Sequence, residues 1–310
     1  MPKPEKTAYR GYLVWGFLML LAGTFPGYCP TYFILSATSI FMYAILSLSW
    51  TIFSGPTGYV SLATATFYGI GIYTTALLGD SLPFPLLVFC GGLAAALIGV
   101  VVGLICLRLN GFYFAVFTFG LNELIRHSML WWEHNISGTV GRWVVSTDAL
   151  TLYYTMLAIT VLTVAGAFLI DRSKFGLALK AIGESEDGAE HVGINVTMHR
   201  ISFFAISCSF MGMAGAAMAT KFTYIDPNSA FSPLLSFTPV LMSLFGGTGK
   251  VYGPVLGASL LTLISEVLLS KFPYFYTLIY GIIFILVILF LPSGLTGVLT
   301  DRSLQKAEAS

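Results

Sequence analysis

Charge is what this 310-residue chain lacks. Only 9% of its residues are Asp, Glu, Lys or Arg, against roughly 25% in a typical soluble domain. A globular protein of this size needs a charged surface to stay in water, so a soluble enzyme, a disordered chain and a secreted scaffold are all excluded. The net charge of +1 gives no basic footprint for nucleic acid. The four cysteines, Cys29, Cys90, Cys106 and Cys208, form no CxxC pair and stand near no His at metal spacing, and they read as small buried hydrophobes. HExxH is missing, and so is a phosphate loop. FGGTGKVYGP at 245–254 invites that last comparison. However, Leu244 stands where the first Gly of GxxxxGK[ST] belongs, and Val251 stands where the hydroxyl belongs.

What the chain has is apolar length. Hydrophobic residues make up 56% of it, with 32 glycines. The apolar runs are continuous rather than alternating, which favours membrane helices over a barrel. Spanning hydrocarbon takes roughly 20 helical residues. The runs give about ten spans: 11–29, 32–53, 58–79, 84–107, 112–132, 149–170, 201–222, 233–247, 252–271 and 274–291. The expected fold is therefore an all-α polytopic transmembrane helix bundle forming a single domain over 1–310. The first run is read as a span and not as a cleaved leader. The eighth is short and carries Pro239, so a broken or re-entrant segment is expected there, as also near the third.

Lys and Arg set the orientation. With the N-terminus inside, eleven of the fifteen basic residues fall on the cytoplasmic side: Lys3, Lys6, Arg10, Arg108, Arg172, Lys174, Lys180, Arg200, Lys250, Arg302 and Lys306. Arg126, Arg142, Lys221 and Lys271 fall outside. Both termini are thus expected in the cytoplasm. Trp131, Trp132 and Trp143 collect at the outer end of the fifth span, where indoles sit at an interface.

Inside the spans, Gly91, Ala95, Gly99 and Gly103 recur every four residues, and Gly212, Gly215, Ala216 and Ala219 repeat the device. Small residues at this spacing let helix backbones approach in lipid. Thr118, Asn122 and Arg126 share one face of the fifth span, with Glu123 in reach of Arg126 or His127. A mid-span carboxylate costs about 2.5–3.5 kcal/mol on insertion scales, so Glu123 must face protein or water. It is either a pathway residue or an internal ion pair. Glu266, nearer the outer half, carries the same expectation.

Two glycine-rich breaks, GPTGYVSL at 55–62 and FGGTGKVYGP at 245–254, place irregular backbone beside helix starts, which is tolerated where it is buried or lines a cavity. The one sizeable hydrophilic segment between spans, 171–200, is expected as a cytoplasmic loop. Within it Ser185 can cap a short helix with Glu186 and Asp187 in its first turn. Gly193 can end that helix. Ala189, Val192 and Ile194 are expected along one side of it.

Four blocks together resemble one family. They are GPTGYVSLATATFYGIGIYTTALL, NGFYFAVFTFGLNELIR, SKFGLALKAIGESEDGAEHVGI and FGGTGKVYGPVLGASLL. The chain is similar to inner-membrane permease subunits of ATP-binding-cassette importers of the branched-chain amino-acid group, and most to the pair member with the longer cytoplasmic loop. It departs from them at Ala63-Thr64, where the family usually has Gly-His, at Gly183, where it has Arg, and in the outer segment NISGTVGRWVV.

The resemblance implies several things. Glu186, Ala189, Val192 and Gly193 would form the ATPase-coupling helix. Thr57, Gly58, Ser61, Thr64, Asn122, Glu123, Gly246, Gly247 and Gly249 would line or gate the path. The implied partners are a homologous second permease, two ATPase subunits that carry ATP and Mg, an extracytoplasmic solute-binding protein and membrane lipid, in a bacterial inner membrane. No cofactor is implied on this chain. The implied function is import of branched-chain amino acids or a similar small polar solute by a non-enzymatic subunit. The alternative from the residues alone is an ion-coupled secondary transporter, which should pair ionisable residues at a midplane site.

Overall fold

The computed structural model describes residues 23, 24, 26, 30–107, 109, 111–290 and 294–297. The expected first span, apart from residues 23, 24 and 26, lies outside the described residues. So do Cys29, Arg108, Asn110 and both termini with their basic residues.

The described chain is helical. Its helices are α1 (Thr31–Thr57), α2 (Thr64–Leu78), α3 (Phe84–Cys106), α4 (Phe112–Trp132), α5 (Ala149–Arg172), α6 (Lys174–Glu184), α7 (Glu186–His191), α8 (Val196–Ala219), α9 (Pro227–Ala230), α10 (Leu234–Gly246), α11 (Tyr252–Lys271) and α12 (Tyr276–Phe290). A π-turn over Glu133–Ser137 extends α4. Two-residue strands, β1 (Arg142–Trp143) and β2 (Tyr224–Ile225), pair antiparallel with Arg142 opposite Ile225. Five helices, α1, α3, α5, α8 and α11, are long and apolar enough to cross a membrane, and the stretch Pro227–Gly246 makes a sixth. The protein is thus an all-α polytopic membrane protein.

α8 is the axis of the bundle. Its heaviest packing is against α3 and then α2, and the small-residue rows explain why. A Cβ on Gly212 would meet the Ala95 methyl at 2.4 Å, and one on Gly91 would meet the Ala216 methyl at 2.5 Å. On the α2 side a Cβ on Gly215 would lie 2.0 Å from the Tyr68 carbonyl oxygen. With no larger side chain between them the backbones touch, which is how helices gain packing energy without a hydrophobic drive. Toward one end, Phe204 of α8 centres an aromatic cluster, with ring centroids at 5.1 Å to Phe53, 5.5 Å to Phe67 and 6.3 Å to Phe114.

Two expectations are corrected. The first glycine-rich break starts later than Gly55, because Gly55, Pro56 and Thr57 close the last turn of α1, where Pro56 forfeits only one backbone bond. Near the third span, where a broken or short helix is expected, Gly58–Ala63 is irregular and α2 begins only at Thr64. The 171–200 segment is not a loop but a helical staircase of the end of α5, α6, α7 and the foot of α8. The amphipathic pattern of α6 accounts for this, since it buries Leu179 and Ile182. The eighth run holds one short continuous helix, the thirteen-residue α10, which accommodates Pro239 without a break and is preceded by the short α9.

Candidate functional site

The staircase sits at the bundle end where α1, α5 and α10 finish. Ser173 caps α6 by accepting from Gly176 N at 3.0 Å. Ser185 caps α7 by accepting from Gly188 N at 3.1 Å. Gly193 ends α7 in the left-handed region at φ 87°, donating to the Glu190 carbonyl at 2.9 Å. Only glycine reaches that conformation without strain. Beneath α7, Ala189 joins Ile182 and Val196 in a small buried cluster, with Ile194 at its edge. Val192 does not join it: it is 82% exposed, because the αL turn at Gly193 redirects the chain before a third turn could bring Val192 around. Asp187, Glu190 and His191 are also exposed, so α7 presents a polar outer face over an apolar base.

Glu186 is part-exposed and reaches two buried partners. Its Oε1 accepts the Tyr59 hydroxyl at 2.8 Å and pairs with Arg200 at the foot of α8. The Arg200 guanidinium lies over the Tyr59 ring, 4.6 Å from its centre.

The two glycine-rich breaks meet. Gly58, in the left-handed region at φ 71°, and Gly249 both line one cavity of about 450 Å³ that Thr51, Asp171, Lys180 and Lys250 also border. Lys180 and Asp171 are ion-paired there at 2.5 Å. Gly246 and Gly247 instead pack on the start of α11: a Cβ on Gly246 would lie 1.9 Å from the Gly253 carbonyl oxygen.

Of the other expected path residues, Asn122 falls on a seam between α2 and α4, beside Thr118. Thr118 accepts from Leu62 N at 3.0 Å. Asn122 accepts from the Thr66 hydroxyl at 3.2 Å and donates to the Phe231 carbonyl at 3.0 Å. Both are fully buried. Thr57 donates to the Phe53 carbonyl at 2.7 Å, while the Ser61 carbonyl accepts Trp50 Nε1 at 2.8 Å. Thr64, buried at the head of α2, has a hydroxyl with no hydrogen-bond partner. Glu123 stands apart on the half-exposed face of α4, accepting Arg126 Nε at 3.1 Å. Arg126 Nη1 reaches on to Asn228 at 2.8 Å.

The sequence matches a known family. The family described as branched-chain amino acid transport system / permease component covers residues 32–289. The chain belongs to this family. Among curated relatives, the permease is 28% identical to the high-affinity branched-chain amino acid transport system permease protein LivM of Escherichia coli, over 90% of its own length and 73% of the relative's. It is also 28% identical to LivM of Salmonella typhimurium, over 84% and 68%. It is 31% identical to the autoinducer 2 import system permease protein LsrC of Salmonella paratyphi B over 57% and 54%. No solved structure matches it. It is a non-enzymatic permease of a branched-chain-type ABC importer, a multi-pass protein of a bacterial inner membrane.

One buried charge of the permease escaped the sequence reading. Glu133, at the π-turn after α4, is fully buried. It accepts the Tyr73 hydroxyl at 3.1 Å and Gly141 N at 2.8 Å, and Arg142 Nε stands 3.9 Å away. Arg142 also lies over the Trp132 ring at 4.8 Å. In sequence Glu133 follows the Trp pair and looks like a span-end charge. The only signal was Arg142 nine residues on, across a glycine-bounded turn.

Proposed function

We propose that this permease forms one half of a translocation unit with a homologous second permease, driven by two ATPase subunits that bind ATP and Mg and fed by an extracytoplasmic binding protein. The solute is a branched-chain amino acid or a similar small polar solute. The chain crosses the membrane about ten times with both termini in the cytoplasm, which puts α7 on the cytoplasmic side, and the eighth crossing is made by α10 with α9 before it.

The observation that carries this reading is α7, a six-residue helix held from below by Ala189 with its polar face exposed. So short a helix is marginal alone, and a docked partner gives it a purpose. Family membership supports the same partner. LivM, the relative aligned over most of the chain, favours an amino-acid solute; LsrC shows that related permeases are named for other solutes.

Glu123 supports the second permease. α4 buries only Phe114, Thr118 and Asn122, so its Glu123–Arg126 pair would meet lipid unless protein or water covers that face. We place the path there, with Asn122 and Thr64 behind it and Ser61 and Thr57 in the adjoining stretch. Gly58 and Gly249 border the cytoplasmic cavity, and Gly246 and Gly247 act as the pivot into α11.

Reconstitution tests the reading. The permease pair with ATPases and binding protein should take up L-leucine only when ATP is supplied. Uptake by this chain alone on an ion gradient would replace the reading with a secondary transporter. Glu123→Gln should slow uptake with little change in thermal stability, and equal uptake would remove Glu123 from the path.

A further inference from the structure

Glu186 joins three segments that lie far apart in sequence. Tyr59 belongs to the irregular stretch Gly58–Ala63 that leads into α2, and Arg200 to the first turns of α8. Tyr59 and Arg200 are 7% and 4% exposed. A guanidinium so far from water is held by what touches it, here the Glu186 carboxylate and the face of the Tyr59 ring. One carboxylate at the head of α7 thus serves two partners, each rooted in a different part of the bundle.

Each root is anchored. In its C-terminal half α8 meets α2 and α3 at Gly71, Gly91, Gly212 and Gly215, where the nearest opposing atoms are backbone or Ala methyl groups that cannot swing aside, while nearer its foot Gly99 and Gly103 of α3 face the side chains of Cys208, Phe204 and Ile201. The Tyr59 ring packs edge-on against Phe114 of α4 at 5.4 Å. In the same stretch Leu62 N donates to Thr118 of α4 at 3.0 Å. α7 is therefore tied through Arg200 to the bundle axis, and through Tyr59 to the joint between α2 and α4, beside the seam that holds Asn122.

We infer that Tyr59, Glu186 and Arg200 form a transmission joint, in which Glu186 turns a displacement of α7 into concerted movement of the foot of α8 and of the 58–63 stretch. Tyr59 and Arg200 are then positioning residues for coupled transport, acting through Glu186. This rests on the reading above that α7 receives the ATPases. The Glu186 side chain keeps 41% exposure, but its Oε1 is engaged by the buried Tyr59 hydroxyl and Arg200, contacts that a merely docking carboxylate would not need.

The test reads motion, so the solute need not be known. Val60, 43% exposed and next to Tyr59, is replaced by Cys and labelled with an environment-sensitive fluorophore in the full complex. ATP should change the emission. Glu186→Gln should abolish that change and Tyr59→Phe, which removes one hydroxyl, should reduce it, while ATP hydrolysis and co-purification of the ATPases persist. Adding Tyr59→Phe to Glu186→Gln should cost nothing more, because both act on one contact. An ATP-induced change that survives Glu186→Gln overturns the joint. ATPases that no longer co-purify with that variant also overturn it, since Glu186 would then be a docking group. Failure of the underlying reading shows differently, as wild-type permease from which no ATPase co-purifies.

Discussion

The backbones of Gly71 in α2 and Gly212 in α8 are in direct contact: a Cβ on Gly71 would lie 2.0 Å from the Gly212 carbonyl oxygen. Backbone cannot swing aside as a side chain can. Gly71→Ala must therefore part the two helices, at a cost of about 1–3 kcal/mol or more. We expect a lower midpoint of thermal unfolding in detergent. Gly120→Ala, where open space surrounds the position, should leave the midpoint unchanged or raise it, because alanine favours helix.

Gly183 makes an equally close approach at the cytoplasmic end, with a Cβ placed 1.9 Å from the Pro56 carbonyl oxygen. Gly183→Arg introduces the residue usual in this family and should lift α6 from the end of α1. The expected signs are faster tryptic cleavage at Lys174 and Lys180 and reduced ATP-driven uptake, with membrane insertion intact. Cleavage rates equal to wild type would show that α6 has room to tilt.

Ala189 and Gly193 test the seat of α7. Ala189→Asp drives a carboxylate into the Ile182–Val196 cluster, whose side chains are all apolar, so it must either lift α7 or sit unpaired. Gly193→Ala forces a side chain into φ 87°, which costs roughly 1–2 kcal/mol. Both variants should hydrolyse ATP with little uptake, and Gly193→Asn should do better than Gly193→Ala because Asn visits that region more readily. Full uptake by both Ala189→Asp and Gly193→Ala would end the coupling role given to this helix.

Glu133 should hold the outer loop in place. Glu133→Gln sets an amide donor against one of two existing donors, Tyr73 O–H or Gly141 N–H, and about 1–3 kcal/mol should be lost. Thermal unfolding measures the loss, and limited proteolysis at Arg142 should speed up. Tyr73→Phe removes one bond only and should cost less. The two losses should not add, since both act on one carboxylate.

The small-residue rows in the fourth and seventh expected runs were legible because spacing alone puts Gly91 and Ala95, or Gly212 and Ala216, on one helix face. Gly71 was not picked out, because the α2 run is rich in small residues all round and nothing local marks which face meets α8. The Ser185 cap and the Gly193 stop are local devices, fixed within a few residues, and the structure holds both. The 171–200 segment was harder. Its charge argued for a solvated connector, but Leu179 and Ile182 find a surface on the bundle end that exists only once the distant helices have assembled.

Composition and periodicity by themselves determined that this protein lives in a membrane as a helix bundle, since so little charge and so much continuous apolar length leave no other solution. They also determined that α3 and α8 would carry close-packing faces. Only the tertiary structure decided that Glu186 reaches Tyr59 and Arg200, that the breaks at Gly58 and Gly249 share one cavity, and that Glu133 is sealed from water. Those three outcomes rest on side chains and backbone brought together from positions far apart in the chain. Helical spacing relates a residue to its neighbours within a few turns and is silent about partners beyond them.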